Sequence, residues 1–557
     1  MSGAGVGQRF ARLFPPPSAE ERPVPSSAAA AAGPTGDDPV HLADLVARNA
    51  AGRPGHDAVR DLTGDTPLTL SWAAFDGAIS AEAARLRAAG VRPGDRVAIG
   101  LPDGAAYCVA VFGALRADAV AVPFGAGSVT RELEIMFEQA GPSVVVAAAD
   151  DRVATGCAEG AGATLLAPPD PSAPPPDAPP AERGPADPER IAVIVFTSGT
   201  TGRPRGVQLS HRALLANRRQ AAELRPAPVN GVDRVLLALP LFHVYGLAAG
   251  LLQVCWAGAT VVLPGRFEPG RVLAAVVDER VSVIAGVPSM FRMLLDRAGP
   301  DGDPGDLHRA MGGVRLCTSG GAPLPAAWLA DFRAATGLDL HEGYGLSEGG
   351  PVITSNDPGR PAKPGSVGRP LPGVELRLVD AAGRPLGDPE PEPDADEIDL
   401  DVGSDPGDDT GLIALRGPNL FSGYWPDGAG GPDADGWFVT ADVGYLDPDG
   451  DLFLVDRSSD LVIVNGFNVY PREVEQVIAE LDAVAEVAVV GVPDDRTGAA
   501  VKAVVVAVAG SGLTEDAVAE HCAARLARFK RPAVVSFAGE LPRTPTGKIA
   551  RRTLARM

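Results

Sequence analysis

Ten residues near the middle of the chain, TSGTTGRPRG at 197–206, stack hydroxyls and glycines directly behind the apolar run IAVIVF. The hydroxyls of Thr197, Ser198, Thr200 and Thr201, with backbone amides freed by Gly199 and Gly202, can close around phosphate oxygens. A plain turn between strands would seldom be so dense in hydroxyls. The segment is no Walker A loop, because the chain's Gly-Lys pair, Gly547-Lys548, precedes Ile549 rather than Ser or Thr.

Further runs follow it in order: FHVYG at 242–246, SGGAPL at 319–324, YGLSE at 344–348, a long stretch ending in NGFNVYP at 437–471, and PRTPTGKI at 542–549. Together with 197–206 these resemble the core motifs of the adenylate-forming superfamily, which contains acyl-CoA synthetases, the adenylation domains of peptide synthetases and beetle luciferases. The resemblance covers the chain from about residue 40 to its end.

In that family a carboxylate oxygen attacks the α-phosphate of ATP and expels pyrophosphate, and a thiol then attacks the mixed anhydride. The resemblance implies that the 197–206 loop holds the β- and γ-phosphates during in-line displacement. Gly321, Ala322 and Pro323, with Gly343 and Tyr344, would frame adenine, and Gly345 and Ser347 complete the nucleotide-binding set. Asp442 and Arg457 would take the ribose hydroxyls, and Glu348 would hold Mg²⁺, a hard cation suited to carboxylate oxygen. Lys548 would set an ammonium against the charge developing on the phosphoryl group, and His243 would stand near the substrate carboxylate as donor or gate. Without the family match, the same residues read as turn glycines, a surface ion pair, a tail lysine and a core histidine.

The resemblance also implies a small C-terminal domain that rotates about Ser459, beside Ser458, between the half-reactions. Rotation would bring residues 465–471 to a thiol tunnel, with Gly466 admitting the pantetheine arm and Arg528, Lys530 and Arg531 meeting the phosphates of coenzyme A. Arg205 stands where the family usually has Lys, which keeps the charge but makes it a planar fork. Ala441 replaces a Gly before Asp442, and Ser459 replaces a charged hinge residue. Amino-acid-activating relatives carry Asp where this chain has His243, so a neutral, apolar acid is expected. The spelling of VPSMFRMLL and GFNVYP is closest to medium- or long-chain fatty acyl-CoA ligases, and aryl-acid ligases share much of it.

Positioning these residues calls for an α/β fold. VAIGLP, GAAYCVAVFGALRA and AVAVPF read as strand, helix, strand, and the same grammar recurs at RVLLALP, ATVVLP and VSVIAGVPSMFRMLLDRA. The expected architecture is a large N-terminal domain with doubly wound sheets, residues 39–457, and a small mobile α+β domain, residues 458–557. Residues 1–38 read as a disordered Ala/Pro-rich start, 168–185 as a Pro-rich connector, and 388–409, with eleven acids and no base, as an acidic insertion.

Composition narrows the function further. A formal net charge of −22 argues against general nucleic-acid binding. Five scattered cysteines without metal-ligand spacing imply reduced thiols, and with neither export signal nor transmembrane segment visible the expectation is a cytoplasmic enzyme. GLSEG at 345–349 satisfies the serine-hydrolase elbow pattern, but Gly349-Gly350-Pro351 would break the helix an elbow needs. Two alternatives stay open: transfer to the pantetheine of a carrier protein instead of coenzyme A, and a noncatalytic nucleotide- and acyl-binding protein of the same fold.

Overall fold

The computed structural model describes residues 39–557 except 173, 175–186, 199–203, 298–303, 323, 381, 387–409, 458–461, 465–466, 470, 495–497, 527 and 544–548. The N-terminal run 1–38, most of the Pro-rich connector and the acidic insertion thus lie outside the described residues, which form one compact unit from Pro39 onward.

Buried parallel strands need apolar residues on both faces, and the continuous runs VAIG, VAVP and VVVA supply them. They stand in a six-stranded sheet ordered Thr164–Leu166, Val144–Ala147, Arg96–Gly100, Val120–Pro123, Ile191–Ser198, Pro204–Ser210, in which only the last runs antiparallel to its neighbour. The helix Ala105–Arg116 joins two of these strands and is buried along nearly its whole length, as its unbroken apolar sequence requires. The βαβ unit read at 94–124 is therefore present.

A nine-stranded sheet packs against the same core. Its order is Arg369–Pro370, Val352–Ser355, Leu340–Gly345, Leu316–Ser319, Val283–Gly286, Arg234–Leu237, Thr260–Leu263, Asp57–Asp61, Leu68–Ser71. A four-stranded antiparallel sheet follows, and its first two strands, Glu375–Val379 and Gly411–Arg416, pair directly across the position of the acidic insertion.

The C-terminal part has its own core, with Val469, Val474, Ile478, Val489, Val505, Val518 and Cys522 buried together. Its sheet pairs Val484–Asp494 antiparallel with Gly498–Ala507, which in turn runs parallel to Val534–Phe537, and the helices Pro471–Ala479 and Glu515–Arg525 cover it. All five cysteines are buried and free. Among the described residues no helix is long and apolar enough to cross a membrane: the apolar run after FHVYG folds as a π-helix, Tyr245–Leu252, a short α-helix, Gln253–Ala257, and the strand Thr260–Leu263.

Candidate active site

Four neighbouring strands of the large sheet, Leu340–Gly345, Leu316–Ser319, Val283–Gly286 and Arg234–Leu237, run parallel. At their carboxyl ends the chain passes into GYGLSE, SGGAPL, VPSM and FHVYG, so one sheet edge gathers these segments, where open α/β sheets place their ligands.

The phosphate-loop strand belongs to the other sheet. Ile191–Ser198 pairs antiparallel with Pro204–Ser210, so the loop is the tip of a β-hairpin, and the following helix starts only at His211, capped by Ser210. Thr197 and Ser198 end the first strand; Gly199, Thr200, Thr201 and Gly202 lie outside the described residues. Residues 422–425 run beside the second strand: Ser422 N donates to Gln208 O at 2.9 Å, Gln208 N to Gly423 O at 3.1 Å, and Trp425 N to Gly206 O at 2.7 Å. This pairing sets the Tyr424 ring under Arg205, whose guanidinium carbon lies 3.4 Å from the ring centroid.

The Tyr424 hydroxyl donates to Glu348 Oε1 at 2.7 Å. Burial, and next the Glu348 carboxylate beside it, push this phenol well above its usual range, partly offset by Arg205. Glu348 is half-buried on the single 3₁₀ turn Ser347–Gly349, and the chain continues through Pro351 into the strand Val352–Ser355. No helix follows Ser347, which removes the hydrolase reading.

Buried polar groups frame the Glu348 turn. Phe421 N donates to Glu348 O at 2.9 Å, and Asn419 Nδ2 to Gly349 O at 2.7 Å. Asn217 donates to Val352 O at 2.6 Å and accepts from Val352 N at 3.0 Å, so one side chain satisfies both backbone groups. Asn217 and Asn419 are fully buried. A Cβ on Gly345 would run into the Pro351 carbonyl, so the chain folds back on itself only with glycine there.

The chemistry of Glu348 fits Mg²⁺: among the described residues its carboxylate accepts from a neutral hydroxyl, and carboxylate oxygen is the ligand a hard cation takes. A second acidic cluster, Asp447, Asp449 and Asp451, already holds a cation, since Lys363 Nζ bonds Asp447 and stands 3.2 Å and 3.4 Å from the other two carboxylates.

On the nucleotide side, the Tyr344 hydroxyl donates to Asp442 Oδ2 at 2.6 Å, and Asp442 stands opposite Arg457 across an antiparallel pair. The Tyr expected at adenine and the two residues expected at ribose are thus brought together. Gly321 and Ala322 are exposed in the turn after Leu316–Ser319, while Pro323 lies outside the described residues. His243 Nδ1 accepts from Tyr245 N at 3.2 Å, which puts the proton of the neutral ring on Nε2. Tyr245 is hydrogen-bonded with Thr318, its ring stands 3.3 Å from where a Cβ on Gly320 would lie, and burial pushes its phenol up to about 12. Phe242, Tyr245, Val287 and Met290 pack half-buried against the main core.

Glu342, which carried no motif signal, is 5% exposed one residue before Gly343 and accepts from Leu324 N at 3.3 Å. Burial raises its carboxyl to about 7, against the pull of Arg472 from the C-terminal part. Arg472 also donates to Leu454 O at 2.9 Å in the four-stranded sheet. Of the residues expected on the coenzyme side, Lys530 pairs with Glu473 at 2.8 Å, Arg531 donates to Leu526 O at 2.9 Å, and Arg528 is exposed. Ser459, Gly466 and Lys548 lie outside the described residues.

Sequence reading missed Asn217, Asn419, Tyr424 and Glu342. Their partners are largely backbone groups or residues far along the chain, so no local spacing marks them; Tyr424 alone had a cue, an aromatic held between Gly423 and Trp425 in a loop.

The matches to known proteins agree with this geometry. Residues 46–425 match the model of the AMP-binding enzyme family, and 473–548 that of the AMP-binding enzyme C-terminal domain. A feruloyl-CoA synthase of Amycolatopsis sp is 36% identical over 512 residues, covering 91% of this chain and 97% of its own. A long-chain-fatty-acid–CoA ligase of Bacillus subtilis (strain 168) is 35% identical over 371 residues, which span 66% of this chain and 62% of the relative. The crystal structure of ATP-bound MatB from Rhodopseudomonas palustris superposes with a TM-score of 0.79 at 30% identity, covering 92% of this chain and 98% of that one. The chain belongs to the AMP-binding enzyme family. Within it, the protein is an acid–thiol ligase of the AMP-forming, acyl-CoA synthetase type.

Proposed function

We propose that the protein activates a medium- or long-chain fatty acid as its adenylate and transfers the acyl group to coenzyme A in the cytoplasm. A carboxylate oxygen forms a bond to the α-phosphorus as the bond to pyrophosphate breaks; the thiol sulfur then bonds the acyl carbon, its proton leaves to solvent, and AMP departs. The observation that favours an apolar substrate is that Phe242, Tyr245, Val287 and Met290 pack half-buried against the main core, and that the π-helix starting at Tyr245, YGLAAGLL, carries no charged residue to pair an ammonium group.

In this reading residues 39–457 form the large domain and 458–557 the lid. Thr197, Ser198, Gly199, Thr200, Thr201, Gly202 and Arg205 hold the phosphates; Gly321, Ala322, Pro323, Gly343, Tyr344, Gly345 and Ser347 bind the nucleotide; Asp442 and Arg457 hold ribose. The Nε2 proton of His243 orients the acid, and Lys548 and Glu348 serve the phosphoryl transfer. Bound at Glu348, Mg²⁺ would neutralise phosphate charge. Ser459 is the hinge, and Gly466, Arg528, Lys530 and Arg531 serve coenzyme A.

A second reading, an aryl acid, is favoured by the likeness to a feruloyl-CoA synthase over nearly its whole length. Pyrophosphate release from ATP across fatty, aryl and amino acids, each with and without coenzyme A, separates the readings. Release with fatty acids and conversion to a thioester is expected; release with hydroxycinnamates alone would establish the aryl acid. Thioester appearing only on a carrier protein would change the acceptor, and ATP binding without release would leave a noncatalytic protein.

A further inference from the structure

The loop 421–425 touches both the 191–210 hairpin and the Glu348 turn, yet none of the motifs read in the sequence includes it. Its backbone is pinned on each side, by Gln208 and Gly206 of the hairpin and by the Phe421 N–H on Glu348 O. Between those anchors Tyr424 points two different faces at two charged groups. The flat of its ring carries the Arg205 guanidinium, and its hydroxyl holds Glu348 Oε1. Tyr424 packs edge to face on Phe421, 5.0 Å between centroids, which fixes the ring plane.

We propose that Tyr424 is the positioning residue that couples the phosphate loop to the metal carboxylate, holding Arg205 by its ring and Glu348 by its hydroxyl. This rests on the assignment of Glu348 to Mg²⁺. With Oε1 accepting from the hydroxyl, the carboxylate plane is set, and Oε2 is the oxygen that Glu348 would offer to a cation. The ring also accounts for arginine at 205. A planar guanidinium stacks on an aromatic face and keeps its edge N–H groups for phosphate, whereas an ammonium cannot cover the ring in that way.

The two functions of the ring separate by substitution. Tyr424→Phe keeps the surface under Arg205 and removes the hydroxyl; Tyr424→Leu removes both. Loss of a hydrogen bond that orients a metal ligand lowers metal affinity by about 10-fold. The Phe variant is therefore expected to need about 10-fold more Mn²⁺, used as the probe in place of Mg²⁺, for half-saturation of the ATP-bound protein in a water-proton relaxation titration. Its metal-free ATP affinity, measured by calorimetry, stays at the wild-type value. In the Leu variant both fall, and in Arg205→Lys only ATP affinity falls.

Glu348→Gln is the control for the underlying assignment. Unchanged Mn²⁺ binding in that variant would remove Glu348 from the metal site altogether. A loss there with wild-type Mn²⁺ binding in Tyr424→Phe would overturn the coupling alone. So would a Phe variant that loses metal-free ATP affinity as much as Mn²⁺ affinity, because the hydroxyl would then be supporting the loop as a whole.

Discussion

Glu342 sits where a carboxylate is costly, under the Leu324 amide and out of solvent, and its carboxyl titrates at about 7 instead of the ordinary 4.5. The folded protein therefore holds this proton more tightly than the unfolded chain. Its contribution to stability is fully present below about pH 4.5 and is lost as pH rises through 7, on the order of 3 kcal/mol in all. Urea unfolding midpoints of the wild type and Glu342→Gln, compared from pH 5 to 8, should show a downward slope in the first that is flattened in the second. Parallel slopes would mean that Arg472 already compensates the charge. The hydroxyl of Tyr344 bonds Asp442 and so fixes the carboxylate proposed to hold ribose. A hydrogen bond to a charged group contributes roughly 1.5 kcal/mol, so Tyr344→Phe is expected to raise the KM for ATP by about 10-fold with kcat little changed, measured by pyrophosphate release.

The turn that carries Glu348 is an element held from outside itself. Asn217 supplies both hydrogen bonds of Val352, and Asn419 supplies one to Gly349. Removing Asn217 leaves a buried N–H and a buried C=O without partners, so Asn217→Ala should cost about 3 kcal/mol in urea unfolding. A cost below about 1 kcal/mol would mean that the turn supports itself. These contacts span 135 and 70 residues of sequence, and no periodicity in the chain announces them. What was legible has a local cause. Parallel strands read as apolar runs because both their faces are buried, the 197–206 loop was legible from its run of hydroxyls and glycines, and FHVYG, SGGAPL and YGLSE were legible through their resemblance to the family's motifs. The π-helix at Tyr245–Leu252 was not, since YGLAAGLL is apolar on every face and leaves no polar stripe to reveal its pitch. The strands flanking the proposed phosphate loop pair as a hairpin, and the next helix begins only after Ser210.

At the scale of the whole molecule, the question is whether the C-terminal part serves both proposed half-reactions. Arg472, which directly follows NGFNVYP, reaches across to Leu454 O and to the field of Glu342. The described neighbours of Lys548 bond within their own domain instead: Arg543 to Glu486, and Arg551 to Glu475 and the Val489 carbonyl. Arg472 thus lies on a face turned to the four-stranded sheet. If Lys548 serves adenylation, that step needs the domain turned so that the other face approaches, and the two half-reactions then depend on different residues. Lys548→Ala should slow adenylate formation from acid and ATP by roughly 100-fold or more while sparing thioester formation from supplied acyl-adenylate. Arg472→Ala, which loosens the orientation seen here, should do the reverse, slowing thioester formation and sparing the first step. Rapid-quench assays of each half-reaction decide it, because rotation requires opposite losses in the two variants, whereas a fixed domain would lose both steps together in each.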